Sequence, residues 1–167
     1  MKEITEMKLS ELLEMAAKAE ENSREVYDFL AKNAKNFVVS DRFKFLADEE
    51  QKHEDFIRML YRKVTGGDGL EMPKNTSLPI PFIRYNEDSD ESDLIEQAME
   101  AEIAARDMYL DMAKTADKEG HDGEVVETLK YLSGMEQNHH AILESELQRM
   151  KDFEQFDDYF PGMHIGP

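Results

Sequence analysis

A twelve-residue pattern occurs twice in the chain, as Ala16-Ala17-Lys18-Ala19-Glu20-Glu21-Asn22-Ser23-Arg24-Glu25-Val26-Tyr27 and, 82 positions later, as Ala98-Met99-Glu100-Ala101-Glu102-Ile103-Ala104-Ala105-Arg106-Asp107-Met108-Tyr109. A second related pair follows, Phe45-Leu46-Ala47-Asp48-Glu49-Glu50-Gln51-Lys52-His53 and Tyr131-Leu132-Ser133-Gly134-Met135-Glu136-Gln137-Asn138-His139. Each half of the chain therefore holds the same two segments in the same order. Such an internal repeat predicts two copies of one supersecondary unit.

The repeated segments have the composition of helices. The 167 residues include only 8 Gly and 5 Pro, and Glu, Ala, Leu, Met and Lys, all good helix formers, dominate the rest. Breaks at 33–41, 65–93 and 120–123 leave four predicted helices, over about 8–36, 40–64, 92–119 and 123–152. Ser40-Asp41 is the expected N-cap of the second helix.

Two of the three connections are short, whereas the middle one, about 65–92, is long and contains prolines. A connection of that length can cross a whole bundle. We therefore predict an all-α four-helix bundle over residues 1–152, made of two helical hairpins joined by a long crossover. The acidic, aromatic tail 153–167 is expected either to pack over one end of the bundle or to dock a partner.

The inward stripe of each predicted helix is apolar except near its middle. There the four helices place four glutamates and two histidines. These residues are Glu20, Glu50, His53, Glu102, Glu136 and His139. Their distances from the short loops agree to within about one helical turn, so the six side chains should meet at one level of the bundle. Glu21, Glu49 and Glu100 adjoin the stripe and are expected to face outward.

Four carboxylates buried together cannot all stay ionised without compensation, because burial and like-charge repulsion both oppose it. Two divalent cations would make such a site neutral. A ligand set of carboxylate and imidazole suits iron or manganese. A Glu-x-x-His motif alone is weak, and it is the joint placement of both motifs and both preceding glutamates on the inward stripe that indicates a metal centre.

Over about residues 8–150 the chain resembles the ferritin-like superfamily, in particular its rubrerythrin branch. The matching residues are Glu20 with Tyr27, Glu50-Gln51-Lys52-His53, Glu102 with Tyr109, and Glu136-Gln137-Asn138-His139. The resemblance implies two iron ions, with manganese or zinc as alternatives when loaded.

The resemblance also implies a role for each matching residue. Glu50 and Glu136 would bridge the metals, Glu20 and Glu102 would be terminal ligands, and the histidines would supply nitrogen. Tyr27 and Tyr109 would hydrogen-bond carboxylates beside the metals, so that they would share the catalytic role of the four glutamates.

The chain departs from the typical rubrerythrin pattern in two ways. A further glutamate normally lies three residues after the helix-3 ligand, where this chain has Ala105, so the ligand set is closer to the symmetric site of bacterioferritin. Many rubrerythrins also carry a rubredoxin-like domain with four cysteines, and this chain has no Cys. Electrons would therefore come from a separate donor such as a rubredoxin-like protein.

Composition limits the classes of partner. The sequence has 38 acidic and 20 basic residues and a formal charge of −18, which disfavours nucleic acid and anionic lipid. Neither a long apolar span nor a secretory signal is visible, so a cytoplasmic protein without a membrane partner is expected. A homodimer is expected.

Three functions remain open at this point. The first is an oxidoreductase that reduces hydrogen peroxide or dioxygen. The second is a ferroxidase or an iron-handling or storage protein, to which an acidic surface would attract cations. The third is a bundle whose metal is structural and which acts as a partner-binding module.

Overall fold

The computed structural model describes residues 7–67, 69–73, 83–86 and 88–159, with side chains to residue 153. It contains four helices: α1 (Leu9–Asn33), α2 (Phe37–Thr65), α3 (Glu91–Glu119) and α4 (Gly123–Tyr159). No strand occurs in these described ranges. The predicted all-α class and the four-helix arrangement are confirmed.

The helices begin and end where local chemistry satisfies their free backbone groups. The Asn36 side chain accepts a hydrogen bond from the Val38 backbone N–H at 2.8 Å and caps α2. Asp90 caps α3 in the same way through Ser92 and Asp93. The predicted cap at Ser40-Asp41 is wrong, because Asn36 already starts the helix one turn earlier.

Gly66 and Gly120 end α2 and α3 in the left-handed conformation, at φ +74° and +76°. A glycine adopts this backbone conformation without the steric penalty of a Cβ atom. Each helix therefore stops sharply.

The helices pair as two hairpins, α1 with α2 and α3 with α4. Across the hairpins α1 runs antiparallel to α3, because Tyr27 contacts Glu102 whereas Tyr109 contacts Glu20. This arrangement requires the connection between α2 and α3 to run the length of the bundle. Its described parts agree: Leu70 packs on the apolar cluster at one end, and the Tyr85 ring contacts the Phe29 ring near the other, with centroids 4.7 Å apart.

Two apolar clusters fill the bundle. One contains Leu12, Leu60 and Leu129, and the other contains Leu46, Ile95 and Leu143, all of them fully or almost fully buried. Burying each such side chain is worth about 1.5–3 kcal/mol. Two dry clusters therefore hold the helices on either side of a polar middle layer.

Helix α4 is longer than its sequence suggested. It continues to Tyr159, so residues 153–159 extend the helix instead of starting a separate tail at 153. The predicted tail beyond residue 159 lies outside the described residues. None of the described helices is both long enough and apolar enough to cross a membrane.

Candidate metal centre

The polar layer lies between the two apolar clusters, and every helix contributes to it from near its middle. Its six acidic and imidazole side chains are each exposed by only 1–2 %. They are Glu20 from α1, Glu50 and His53 from α2, Glu102 from α3, and Glu136 and His139 from α4. The structure thus brings together all six residues that the sequence pattern singled out.

The first half of the layer surrounds His53. Its Nδ1 atom lies 2.9 Å from Glu136 Oε1, 3.2 Å from Glu50 Oε2 and 3.6 Å from Glu20 Oε2. Three carboxylates from three different helices therefore face one ring nitrogen.

The second half repeats this arrangement around His139. Its Nδ1 atom lies 3.0 Å from Glu50 Oε1, 3.5 Å from Glu136 Oε2 and 3.7 Å from Glu102 Oε2. Glu50 and Glu136 thus offer one oxygen to each half, whereas Glu20 reaches only the first half and Glu102 only the second. Two carboxylates lie between two equivalent positions, and each position has one further carboxylate and one imidazole.

These buried groups lack the hydrogen bonds that buried polar atoms normally have. Both oxygens of Glu50, Oε1 of Glu136 and both ring nitrogens of each histidine have no hydrogen-bond partner among the described residues. The short nitrogen–oxygen contacts do not have hydrogen-bond geometry. The two imidazoles stack with centroids 5.0 Å apart and planes inclined by 16°.

Buried oxygen and nitrogen atoms without hydrogen-bond partners are suited to bind a metal ion. One ligand atom from each of Glu50, His53, Glu136 and His139 can be chosen so that all four lie within 4.8 Å of one another. Cations placed among them would satisfy the orphaned lone pairs and offset the buried negative charge. This donor set can therefore hold a metal ion pair.

Two tyrosines tie the outer carboxylates across the hairpins. The Tyr27 hydroxyl donates to Glu102 Oε1 and the Tyr109 hydroxyl donates to Glu20 Oε1, and all four residues are buried. Each tyrosine therefore holds a carboxylate of the other hairpin and not of its own. Burial together with the neighbouring carboxylates raises the pKa of both phenols well above the ordinary value, so that they remain proton donors.

Without metal, the centre becomes neutral by holding protons. Burial and the nearby charge of Glu50 raise the pKa of Glu20 to about 8. Burial alone would lower the pKa of both histidines. Contacts with Glu102, Glu136 and Glu50 raise the pKa of His139 to about 12. Contacts with Glu136, Glu20 and Glu50 raise the pKa of His53.

The two central carboxylates respond differently to the same surroundings. Burial and three neighbouring glutamates raise the pKa of Glu136. Burial also opposes ionisation of Glu50, yet contacts with Glu20 and both histidines lower its pKa, and Glu102 behaves likewise. A proton on one central carboxylate stabilises the charge on the other, so the pair titrates as a unit.

Some buried carboxylates outside the centre were not found from the sequence. Glu49, expected to face outward, is only 8 % exposed and pairs with Lys52. Glu54 is buried beside Arg58, 2.6 Å away, and Glu146 is buried beside Arg42 and Arg149. The i,i+3 and i,i+4 spacings of Lys52, Arg58 and Arg149 were the available signal for three of these pairs, whereas Arg42 lies far away in the sequence.

The remaining candidates lie away from the centre. His140 is half-buried on the outer surface, with Met99 and Ile103. His121 contacts Glu119 at 3.0 Å in the loop before α4. Ala105, where typical rubrerythrins carry a glutamate, is half-buried and supplies no ligand atom.

The fold and the centre define a class, the ferritin-like four-helix bundles with a buried carboxylate–histidine site. The rubrerythrin family model matches residues 11–147, and the chain belongs to the rubrerythrin family. A solved structure of a hypothetical protein from Pyrococcus furiosus is similar, with 32 % identity and a TM-score of 0.74, over 88 % of this chain and 92 % of that one. The search of curated proteins gives no match.

Proposed function

We propose that the protein is a di-iron oxidoreductase of rubrerythrin type, which reduces hydrogen peroxide or dioxygen with electrons from a separate donor. The observation that carries the proposal is the division of the buried layer into two equivalent halves that share Glu50 and Glu136. A site for a single ion would not need two carboxylates that each face both imidazoles.

The charge of the layer supports a pair of divalent ions. In this proposal Glu20 and His53 would hold one ion and Glu102 and His139 would hold the other, and Glu50 and Glu136 would be shared between them. Four carboxylates carry −4, which two divalent cations cancel, so the buried site becomes neutral. Oxygen and nitrogen ligands without thiolate suit iron, with manganese or zinc as the alternatives.

When bound, two ferrous ions can supply the two electrons that reduce one hydrogen peroxide, with two protons, to two waters. The protein itself positions the carboxylate ligands and excludes water from the site. Tyr27 and Tyr109 fix one oxygen of each terminal carboxylate, leaving the other oxygen for metal. The apolar clusters above and below exclude bulk water from the layer.

A ferroxidase or iron-handling function is the second candidate. The formal charge of −18 favours it, because an acidic surface concentrates cations such as ferrous ion. Such a protein would use the same centre to oxidise iron that then leaves it. Storage also requires a hollow shell of many subunits, so the mass of the assembly distinguishes this function.

The test is anaerobic reconstitution with ferrous iron, followed by rapid mixing with peroxide or with dioxygen in the presence and absence of a reducing donor. We expect peroxide to oxidise the bound iron much faster than iron in buffer, and the donor to restore the ferrous state repeatedly. Glu102→Gln should lose this reaction, whereas Glu100→Gln, two residues away and exposed, should retain it.

Three outcomes would contradict the proposal. Oxidation no faster than that of iron in buffer would exclude the oxidoreductase function. Iron released as ferric ion after a single turnover would favour iron handling. A structural metal would be indicated by a Glu102→Gln variant that unfolds while the wild-type protein shows no turnover.

A further inference from the structure

A shallow apolar groove lies on the outside of the bundle, where α2 begins and α4 approaches its end. We call it the end groove; it is lined by Phe37, Val38, Arg42, Phe45, Ile142 and Arg149. Phe37 is 76 % exposed and Phe45 is 48 % exposed. Aromatic side chains left this open are costly in water and are typical of a contact surface.

The groove is also basic, although the chain as a whole is strongly acidic. Arg42 and Arg149 both contact the single carboxylate of Glu146, which is buried beneath them. Asp41 also lines the groove, and its carboxylate is paired with Lys44 at 3.0 Å. Two guanidinium groups thus share one negative charge, and the groove keeps an excess positive charge that would attract an acidic partner segment.

The chain itself has an acidic, aromatic segment next to the groove. Phe153 on α4 is 61 % exposed. In an α-helix it lies within about 40° of Arg149 and about 20° of Ile142, so it continues the same face of α4. The sequence around it contains Asp152, Glu154, Asp157 and Asp158.

Helix α4 carries this segment past the end of its neighbour. The contacts of Arg42 with Glu146 and of Lys63 with Glu124 place Phe37 level with about residue 151 of α4. Since α4 continues to Tyr159, it extends about 12 Å beyond the start of α2. The segment is part of the helix that forms one wall of the groove, so it cannot fold back into the groove of its own chain while that helix is intact.

We propose that the end groove binds the C-terminal turns of α4 from a second copy of this chain, with Phe153 of one copy seated among the apolar groove residues of the other. The groove and the projecting segment lie on one face of the molecule. A two-fold axis through that face would place each segment in the opposite groove, as an isologous dimer requires. Acidic residues beside Phe153 would then approach Arg42 and Arg149 of the other copy.

The test is the mass of the full-length, metal-loaded protein in solution, measured by light scattering and sedimentation over a concentration series. We expect twice the chain mass of 19.4 kDa for the wild type. Phe153→Asp and Phe45→Asp should each raise the dimer dissociation constant by at least about 100-fold, because two aromatic contacts are lost per dimer. Leu110→Asp is the matched control, since Leu110 is 40 % exposed on α3 outside the groove, and it should remain dimeric.

A mixture of the Phe153→Asp and Phe45→Asp variants makes the test specific. The Phe153→Asp copy keeps an intact groove and the Phe45→Asp copy keeps an intact Phe153, so mixing them should restore dimers through one of the two contacts. Circular dichroism should show unchanged helix content in every variant.

A monomeric wild type would overturn the proposal. So would a dimer that survives both substitutions, dissociation by Leu110→Asp to the same extent, or the absence of mixed dimers. Any of these results would show that the end groove does not hold the C-terminal turns of a second copy.

Discussion

Loading the metal-free protein with two divalent ions should release about four protons per chain at pH 7. Glu20 has a pKa of about 8 and the pKa of Glu136 is also raised, so both carboxyls are protonated without metal. Both imidazoles are protonated as well, because their pKa values lie above neutrality. Metal ligands must be deprotonated, so each of these four groups loses one proton when the ions bind.

The same count fixes the pH dependence of binding. Four protons exchanged for two ions mean that the product of the two binding constants falls about 10⁴-fold for each pH unit below 7, or about 5.5 kcal/mol. A structural site with preformed, unprotonated ligands would show almost no such dependence.

The assay uses Zn²⁺, which has no redox chemistry. Protons are measured with an indicator dye in weakly buffered solution and by calorimetry in buffers of different ionisation enthalpy. Glu20→Gln should release about one proton fewer, whereas Glu100→Gln should match the wild type. Release of fewer than about one proton per chain would refute the protonation pattern and the ligand set built on it.

Three further predictions concern stability. The metal-free protein should become less stable as pH rises from about 5 to 8, because Glu20 keeps its proton in the folded state up to about pH 8 but loses it near 4.5 when unfolded. For each proton retained in this way, the free energy of unfolding falls by about 1.4 kcal/mol per pH unit. A melting temperature that rises over this range would contradict the assignment. Tyr27→Phe should lower the free energy of unfolding by about 1–3 kcal/mol, because Glu102 loses its buried hydrogen-bond donor. The Tyr61 hydroxyl donates to a half-exposed carboxylate, so Tyr61→Phe should lower the free energy of unfolding by less in the same urea titration. Equal losses would refute the reasoning. Asn36→Ala should cost about 1 kcal/mol in urea unfolding through loss of the α2 cap, and an unchanged midpoint would show that the cap contributes nothing.

The repeat and the interrupted apolar stripe were enough to predict the fold and to single out the central residues. A polar side chain at an inward helical position has no solvent to face, so periodicity alone indicates that it must meet other groups. Two hairpins related by a repeat leave few ways to arrange four helices around such a layer.

Other features depend on contacts between distant residues and could not be predicted. Periodicity gives no sign that Tyr27 bonds a carboxylate of the other hairpin, because the choice depends on how the hairpins cross. Glu146 is buried because Arg42, 104 positions earlier, reaches it across the bundle. The first residue of α2 could not be predicted either, because Asn and Ser are both good N-caps and either Asn36 or Ser40 could accept a hydrogen bond from the first free backbone N–H groups.

The most direct test of the central claim is the ratio of iron to chain in protein reconstituted anaerobically and freed of loosely bound metal. The shared positions of Glu50 and Glu136 predict two iron ions per chain. They also predict that substituting either carboxylate reduces the ratio. A ratio of one or less, or two ions that remain after Glu136→Ala, would contradict the account.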